Sequence, residues 1–152
     1  MIIKIFKNQY LLFLLRIILG FVFVYSAITK IIDTPGFSDS ISNYKLLPDF
    51  IINFFAIVLP WIELTAGLLL LLGISVKESA FIINFLLVVF LIAITINLIR
   101  GLDINCGCFG TQGGTKIGLT KLIENTILLF FGIILMVFDS KVFILEKKGT
   151  GV

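Results

Sequence analysis

Four long apolar stretches restrict what this chain can fold into more than any other feature of its sequence. They cover residues 10–32, 51–73, 79–99 and 117–138. A helix needs roughly 20 mostly apolar residues to cross about 30 Å of hydrocarbon, and every stretch reaches that length. None of them alternates polar with apolar residues as the strands of a membrane barrel do. The sequence therefore predicts an all-α membrane protein, a bundle of four transmembrane helices that forms a single domain over residues 1–152.

The composition argues against a soluble domain, a metal site and a nucleic-acid site. Hydrophobic residues make up 59% of the chain and charged residues 14%, whereas soluble domains have about 45–50% and about 25%. The chain has no histidine, the commonest general base and metal ligand. Its net charge is only +3, and its lysines lie mostly at the span ends, as at a membrane surface. We therefore expect the lipid bilayer as its main partner.

The basic residues indicate a weak preference for one orientation, with both chain termini on the same side of the membrane. That side carries six lysines: Lys4, Lys7, Lys77, Lys141, Lys147 and Lys148. At most five basic residues lie on or near the other side: Lys30, Lys45, Arg100, Lys116 and Lys121. By the positive-inside rule, we expect the chain in a bacterial inner membrane with both termini on the cytoplasmic side. The loop 100–116 is then expected at the periplasmic face.

The first outer loop carries the signals of a short amphipathic helix. Asp33-Thr34-Pro35 is a typical helix start, and Pro48 is expected to end the helix. The apolar residues between them share one helical face: Phe37, Ile41, Tyr44 and Leu47. This pattern predicts a helix in the membrane interface. It either forms a lid over the bundle or provides one wall of a lipid or quinone pocket.

The loop 100–116 is rich in glycine and contains both cysteines of the chain, Cys106 and Cys108. A disulfide between them would close a tight, strained ring, and strained disulfides are easier to reduce. Arg100 is placed to stabilise a thiolate of this redox pair. A permanent structural disulfide, or two buried thiols that pack the loop, remains the alternative interpretation. Two cysteines without histidine do not complete a zinc site, so no metal is expected.

Charged residues within the spans are costly and usually face the bundle interior. Counted from the cytoplasmic end of each span, Arg16 lies about 9 Å deep and Glu63 about 15 Å deep. The sequence therefore predicts an Arg16–Glu63 pair, with Asn84 nearby. This pair is either a clasp between two spans or part of a proton or quinone site.

A second polar group is expected in the outer half, beneath the cysteine loop. It consists of Lys30, Asn97, Lys121 and Glu124. These side chains either tune a thiol or contact a quinone head group, or they simply extend to the interface or cap helices. Trp61, beside a predicted kink at Pro60, is expected to pack on the bundle interior or to stack on a ligand.

These motifs resemble the MauE branch of the DoxX-like family of redox-associated membrane proteins, from Arg16 to about Phe138. The residues that carry the resemblance are Arg16, Gly20, Ser26, Lys30, Tyr44, Leu47-Pro48, Leu59-Pro60-Trp61-Ile62-Glu63-Leu64, Gly67, Gly73 and Arg100 with Cys106-Gly107-Cys108-Phe109-Gly110. The resemblance implies a four-helix bundle that acts beside a periplasmic thioredoxin-like protein. It also implies a role like that of the namesake members, which assist the maturation of methylamine dehydrogenase.

Three functions fit these observations. The first is a thiol–disulfide redox protein whose Cys106/Cys108 pair exchanges electrons with a thioredoxin-like partner, with quinone as a candidate cofactor. Because the chain has only two cysteines, quinone would have to oxidise this pair directly, unless the partner supplies a second pair. The second function is a non-catalytic scaffold for the assembly of a periplasmic partner. The third is a small transporter or lipid-binding bundle that uses an Arg16/Glu63 cluster.

Overall fold

The structure is a computed structural model that describes residues 9–45, 48–100 and 119–138. Within these ranges the chain is helical apart from short turns and connections. The helices are α1 (Gln9–Ile32), α2 (Thr34–Asn43), α3 (Asp49–Leu72), α4 (Val76–Ile99) and α5 (Leu119–Val137). The predicted cysteine loop, except for Arg100 at its start, lies outside the described residues.

Three helices of the described part are long and apolar enough to cross a membrane. They are α1, the Phe50–Leu72 part of α3, and α4. The shorter α5 contributes a further apolar run, Leu122–Val137. The prediction of an all-helical membrane protein is therefore confirmed, and the predicted spans agree closely with the observed helices.

The short helix α2 begins where the sequence predicts. The Asp33 carboxylate caps it by accepting a hydrogen bond from the Gly36 backbone N–H at 3.1 Å, with Pro35 in the first turn. The predicted end at Pro48 is wrong, since α2 ends at Asn43 and the chain then turns through Lys45, whose φ is +48°. A residue in this left-handed conformation cannot continue a right-handed helix.

Helices α1 and α3 run antiparallel and approach closely through two glycines. A Cβ atom on Gly20 would meet the side chain of Leu71 and lie 3.1 Å from the carbonyl oxygen of Gly67. On the facing helix, a Cβ atom on Gly67 would lie 3.0 Å from the side chain of Val24. Small residues at such a contact let two helix backbones pack directly in lipid. This contact fixes the register of α1 against α3.

The core lies between the α1–α3 pair and the α4–α5 pair. Its fully buried members include Leu19, Leu70, Ile83 and Leu135. The outward faces are also apolar, and Phe21, Phe54, Phe81 and Phe130 are all more than half exposed. A soluble monomer rarely exposes so much apolar surface, whereas a helix bundle surrounded by hydrocarbon does so on every side.

One end of the bundle gathers the elements that flank the cysteine segment. Tyr44, just after α2, packs in one cluster with Ile94 of α4 and Leu122 of α5. The segment 101–118 connects the end of α4 to the start of α5. Both cysteines are therefore connected to the end of the bundle that α2 covers.

Candidate functional site

A buried ion pair joins α1 to α3. The ammonium of Lys30 donates hydrogen bonds to both carboxylate oxygens of Glu63, at 2.7 and 2.8 Å, and each side chain is only 1% exposed. Removing two charges from water is costly, and burial is tolerated when the charges are closely paired and hydrogen-bonded. The pair therefore fixes the end of α1 against the middle of α3.

Two phenylalanine rings complete the surroundings of the Lys30 ammonium. The centroid of the Phe37 ring, from α2, lies 5.0 Å from Lys30 Nζ, and that of Phe90, from α4, lies 4.9 Å away. Both distances suit cation–π attraction, which is strongest where the cation is desolvated. One ammonium thus connects its own helix α1 with α2, α3 and α4.

The predicted Arg16–Glu63 pair is wrong, because Glu63 pairs with Lys30. Gly20 lies against Leu71 and Val24 against Gly67, so Glu63 faces α1 about ten residues beyond Arg16, roughly 15 Å along the helix axis. The prediction assumed that the two helices end at the same depth, whereas α1 extends past the end of α3. The guanidinium of Arg16 instead lies over the Phe13 ring, 5.1 Å from its centroid.

An apolar cavity of about 450 Å³ lies beside the ion pair. It lies between α2, α3 and α4, and aromatic side chains form much of its wall: Phe37, Tyr44, Phe55, Phe85 and Phe90. Its volume is within the range of about 300–1,000 Å³ that small-molecule sites occupy. Phe37 and Phe90 belong both to this wall and to the surroundings of the ammonium. Three residues of the predicted apolar face, Phe37, Ile41 and Tyr44, therefore do line a pocket, while the fourth, Leu47, lies outside the described residues.

Tyr44 is the residue of the cavity wall that carries a hydroxyl group. It is 6% exposed, and burial raises the pKa of its phenol to about 12. The phenol is therefore protonated at neutral pH.

Two asparagines are buried within α4. Asn97 donates from Nδ2 to the Ala93 carbonyl at 2.8 Å, while its Oδ1 has no hydrogen-bond partner within the described part of the chain. Asn84 packs against Gly132 of α5, so the structure does not join it to the Glu63 pair. Asn97 lies near the end of α4 where the cysteine segment begins.

The remaining predicted site residues are scattered. Trp61 is 56% exposed, so the prediction that it packs on the bundle interior is wrong. Glu124 is half-buried on α5, and Arg100 is an exposed residue at the end of α4. Cys106, Cys108 and the side chain of Lys121 lie outside the described residues. Across the ranges that the structure describes, no cluster of three or more histidine, cysteine or acidic residues is suited to a metal ion.

Comparison with known proteins identifies the family to which this helical membrane protein belongs. The family model of "Methylamine utilisation protein MauE" matches residues 8–138. The chain belongs to the MauE family. It is 36% identical over 99 residues to the methylamine utilization protein MauE of Methylorubrum extorquens, and 31% identical over 118 residues to that of Paracoccus denitrificans. It is also 29% identical over 145 residues to the protein TlpB of Flavobacterium psychrophilum.

These relatives are longer than this MauE-family chain. The matches cover 64%, 77% and 89% of the chain, in the same order, but only 52%, 63% and 39% of the relatives. No solved structure matches the chain. The comparisons place the chain in a family with bacterial members, and its long apolar helices are those of a multi-pass membrane protein.

Proposed function

We propose that this MauE-family protein is a membrane thiol–disulfide redox protein, with Cys106 and Cys108 as its redox pair. In this account the chain crosses the bacterial inner membrane four times, with α5 as the fourth crossing and α2 in the outer interface. Both termini lie in the cytoplasm. The cysteine segment then lies at the periplasmic face, where oxidising conditions allow disulfides to persist, and it meets a thioredoxin-like partner there.

The observation that carries this proposal is the position of the only two cysteines of the chain. They lie in the segment between α4 and α5, at the end of the bundle that holds the Lys30–Glu63 pair and the aromatic cavity. Arg100 immediately precedes this segment, and a nearby positive charge favours the thiolate form of a cysteine. The transporter alternative loses its basis, because the Arg16/Glu63 cluster it required does not form.

The proposed chemistry is a two-electron exchange. A thiolate of the reduced partner attacks the Cys106–Cys108 disulfide and forms a mixed disulfide, and the partner's second thiol then resolves it. The partner leaves with a disulfide, and Cys106 and Cys108 become a dithiol. Oxidation of this dithiol by a quinone transfers two electrons and two protons, which regenerates the disulfide and produces hydroquinone. The result supports the oxidation or maturation of exported proteins.

Trapping of the mixed disulfide tests the proposal. In cells with either Cys106→Ser or Cys108→Ser, one of the two variants is expected to accumulate a covalent adduct with a periplasmic thioredoxin-like protein that dithiothreitol releases. The Cys106→Ser/Cys108→Ser double variant is the matched control and forms no adduct. If this double variant supports maturation of the exported partner as well as wild type does, the redox function is wrong, and a scaffold function remains.

A further inference from the structure

We propose that the aromatic cavity between α2, α3 and α4 binds the ring of a lipid-soluble quinone. The choice of quinone as the ligand rests on the proposed function, which requires an electron acceptor soluble in the membrane. The cavity itself, its opening and its polar neighbours are features of the described residues.

The cavity wall favours a flat, unsaturated ring over a plain acyl chain. Four phenylalanines from three helices contribute to it, Phe37, Phe55, Phe85 and Phe90, together with Tyr44 just after α2. Aromatic rings pack on a planar π-system in stacked or edge-to-face arrangements, which adds to the attraction from apolar burial alone. An acyl chain needs only aliphatic contacts, such as those that Leu59 and Leu86 provide.

The cavity is accessible from the hydrocarbon of the membrane. Three of its lining residues on α4 are also large exposed apolar residues: Phe85 at 62%, Val89 at 47% and Ile92 at 54% exposure. A ligand therefore reaches the cavity from the lipid side of α4. A quinone suits this path, because its ring enters the cavity while its isoprenoid tail stays among the lipid chains.

A phenol hydroxyl and a buried ion pair lie beside the cavity. Tyr44 lines it, and its phenol can donate a hydrogen bond to a quinone carbonyl oxygen in place of its present contact. Phe37 and Phe90 contact the Lys30 ammonium and also line the cavity, so their rings join the ion pair to the wall against which the quinone ring would pack.

Two adjacent valines of α4 provide a matched test. Val89 lines the cavity at 47% exposure, whereas Val88 is 41% exposed and is not part of the wall. In full-length protein in lipid nanodiscs, binding of decylubiquinone is measured directly for Val89→Trp and Val88→Trp. We expect Val89→Trp, which fills the cavity, to weaken binding by about tenfold or more, and Val88→Trp to bind like wild type. Tyr44→Phe should weaken binding by roughly 2–10-fold through one lost hydrogen bond.

Three controls keep this test independent of the redox chemistry and of folding. The Cys106→Ser/Cys108→Ser variant should bind decylubiquinone like wild type, so binding stands even if thiol exchange fails. Ala93→Leu, a smaller change in the same wall, should also weaken binding, which covers a failure of Val89→Trp to fold. The assignment is overturned if folded Val89→Trp and Ala93→Leu both bind normally, or if decanol displaces decylubiquinone as effectively as unlabelled decylubiquinone does.

Discussion

Lys30 and Glu63 form a buried ion pair between α1 and α3, with the ammonium at 2.7 and 2.8 Å from the two carboxylate oxygens. The two residues are 33 positions apart in the sequence. The pair connects the interhelical contact to the aromatic cavity, since Phe37 and Phe90 contact both the ammonium and the cavity. The ion pair is therefore the structural centre of the end of the bundle that α2 covers.

Removal of the Glu63 carboxylate should strongly destabilise the protein. Glu63→Ala leaves a buried ammonium without its counter-ion, a change that costs about 3–5 kcal/mol in known cases. The expected results are less folded protein in membranes and a much lower apparent melting temperature in detergent. The exchanged pair Lys30→Glu/Glu63→Lys should recover part of this loss. The exchange Arg16→Glu/Glu63→Arg should recover nothing, and recovery there would contradict the observed pairing.

The aromatic contacts to Lys30 should make a smaller contribution. Phe90→Leu removes a cation–π contact and should cost about 0.5–2 kcal/mol, in addition to the loss of buried ring surface. Phe85→Leu is the control on the same helix, since Phe85 also lines the cavity but is 62% exposed. Thermal unfolding in a Lys30→Met/Glu63→Met background separates the two effects. There Phe90→Leu should cost less than it does in wild type, and an undiminished cost would rule out a cation–π contribution.

Gly132 should tolerate a side chain only when Asn84 is shortened. A Cβ atom on Gly132 would collide with the carboxamide of Asn84, so Gly132→Ala forces this buried side chain to move. We expect Gly132→Ala to be destabilising alone and nearly neutral in an Asn84→Ala background. A double-mutant cycle on thermal stability measures the coupling, expected at about 0.5–3 kcal/mol. Additive effects of the two substitutions would show that α4 and α5 do not meet here.

The phenol of Tyr44 should make stability depend on pH in the alkaline range. Burial raises its pKa from 10.0 to about 12 in the folded protein, so the folded state holds this proton more tightly than the unfolded state does. The contribution of the protonated phenol to the free energy of unfolding is complete below pH 10 and is lost as the pH rises toward 12. Melting temperatures across this window should fall more steeply for wild type than for Tyr44→Phe. Parallel curves for the two proteins would contradict the burial of Tyr44.

The helices could be predicted from the sequence because their signals are local. Apolar length identifies α1, α3 and α4, and the Asp33-Thr34-Pro35 start of α2 depends only on the cap and the first turn. The end of α2 was mispredicted because Lys45 adopts a positive φ, a conformation that glycine or asparagine usually marks. Lysine gives no such signal.

The site could be predicted only in part, because it depends on the register between helices. Lys30 and Glu63 were both recognised as charged residues within spans, but their pairing is set by the Gly20–Gly67 contact and by the extension of α1 past α3. The contact between Phe90 and Lys30 is not predictable from the sequence, because nothing local distinguishes this phenylalanine from the others in the apolar spans. The outward direction of Trp61 likewise depends on which face of α3 packs inward.

The central claim is that Cys106 and Cys108 exchange electrons with a partner, and their reduction potential in native membranes tests it most directly. Equilibration with defined glutathione or dithiothreitol buffers, followed by thiol alkylation and mass measurement, gives this potential. The account predicts a pair more oxidising than about −300 mV, as expected for an exchanging disulfide. A potential below about −300 mV would identify a permanent structural bridge and contradict the account.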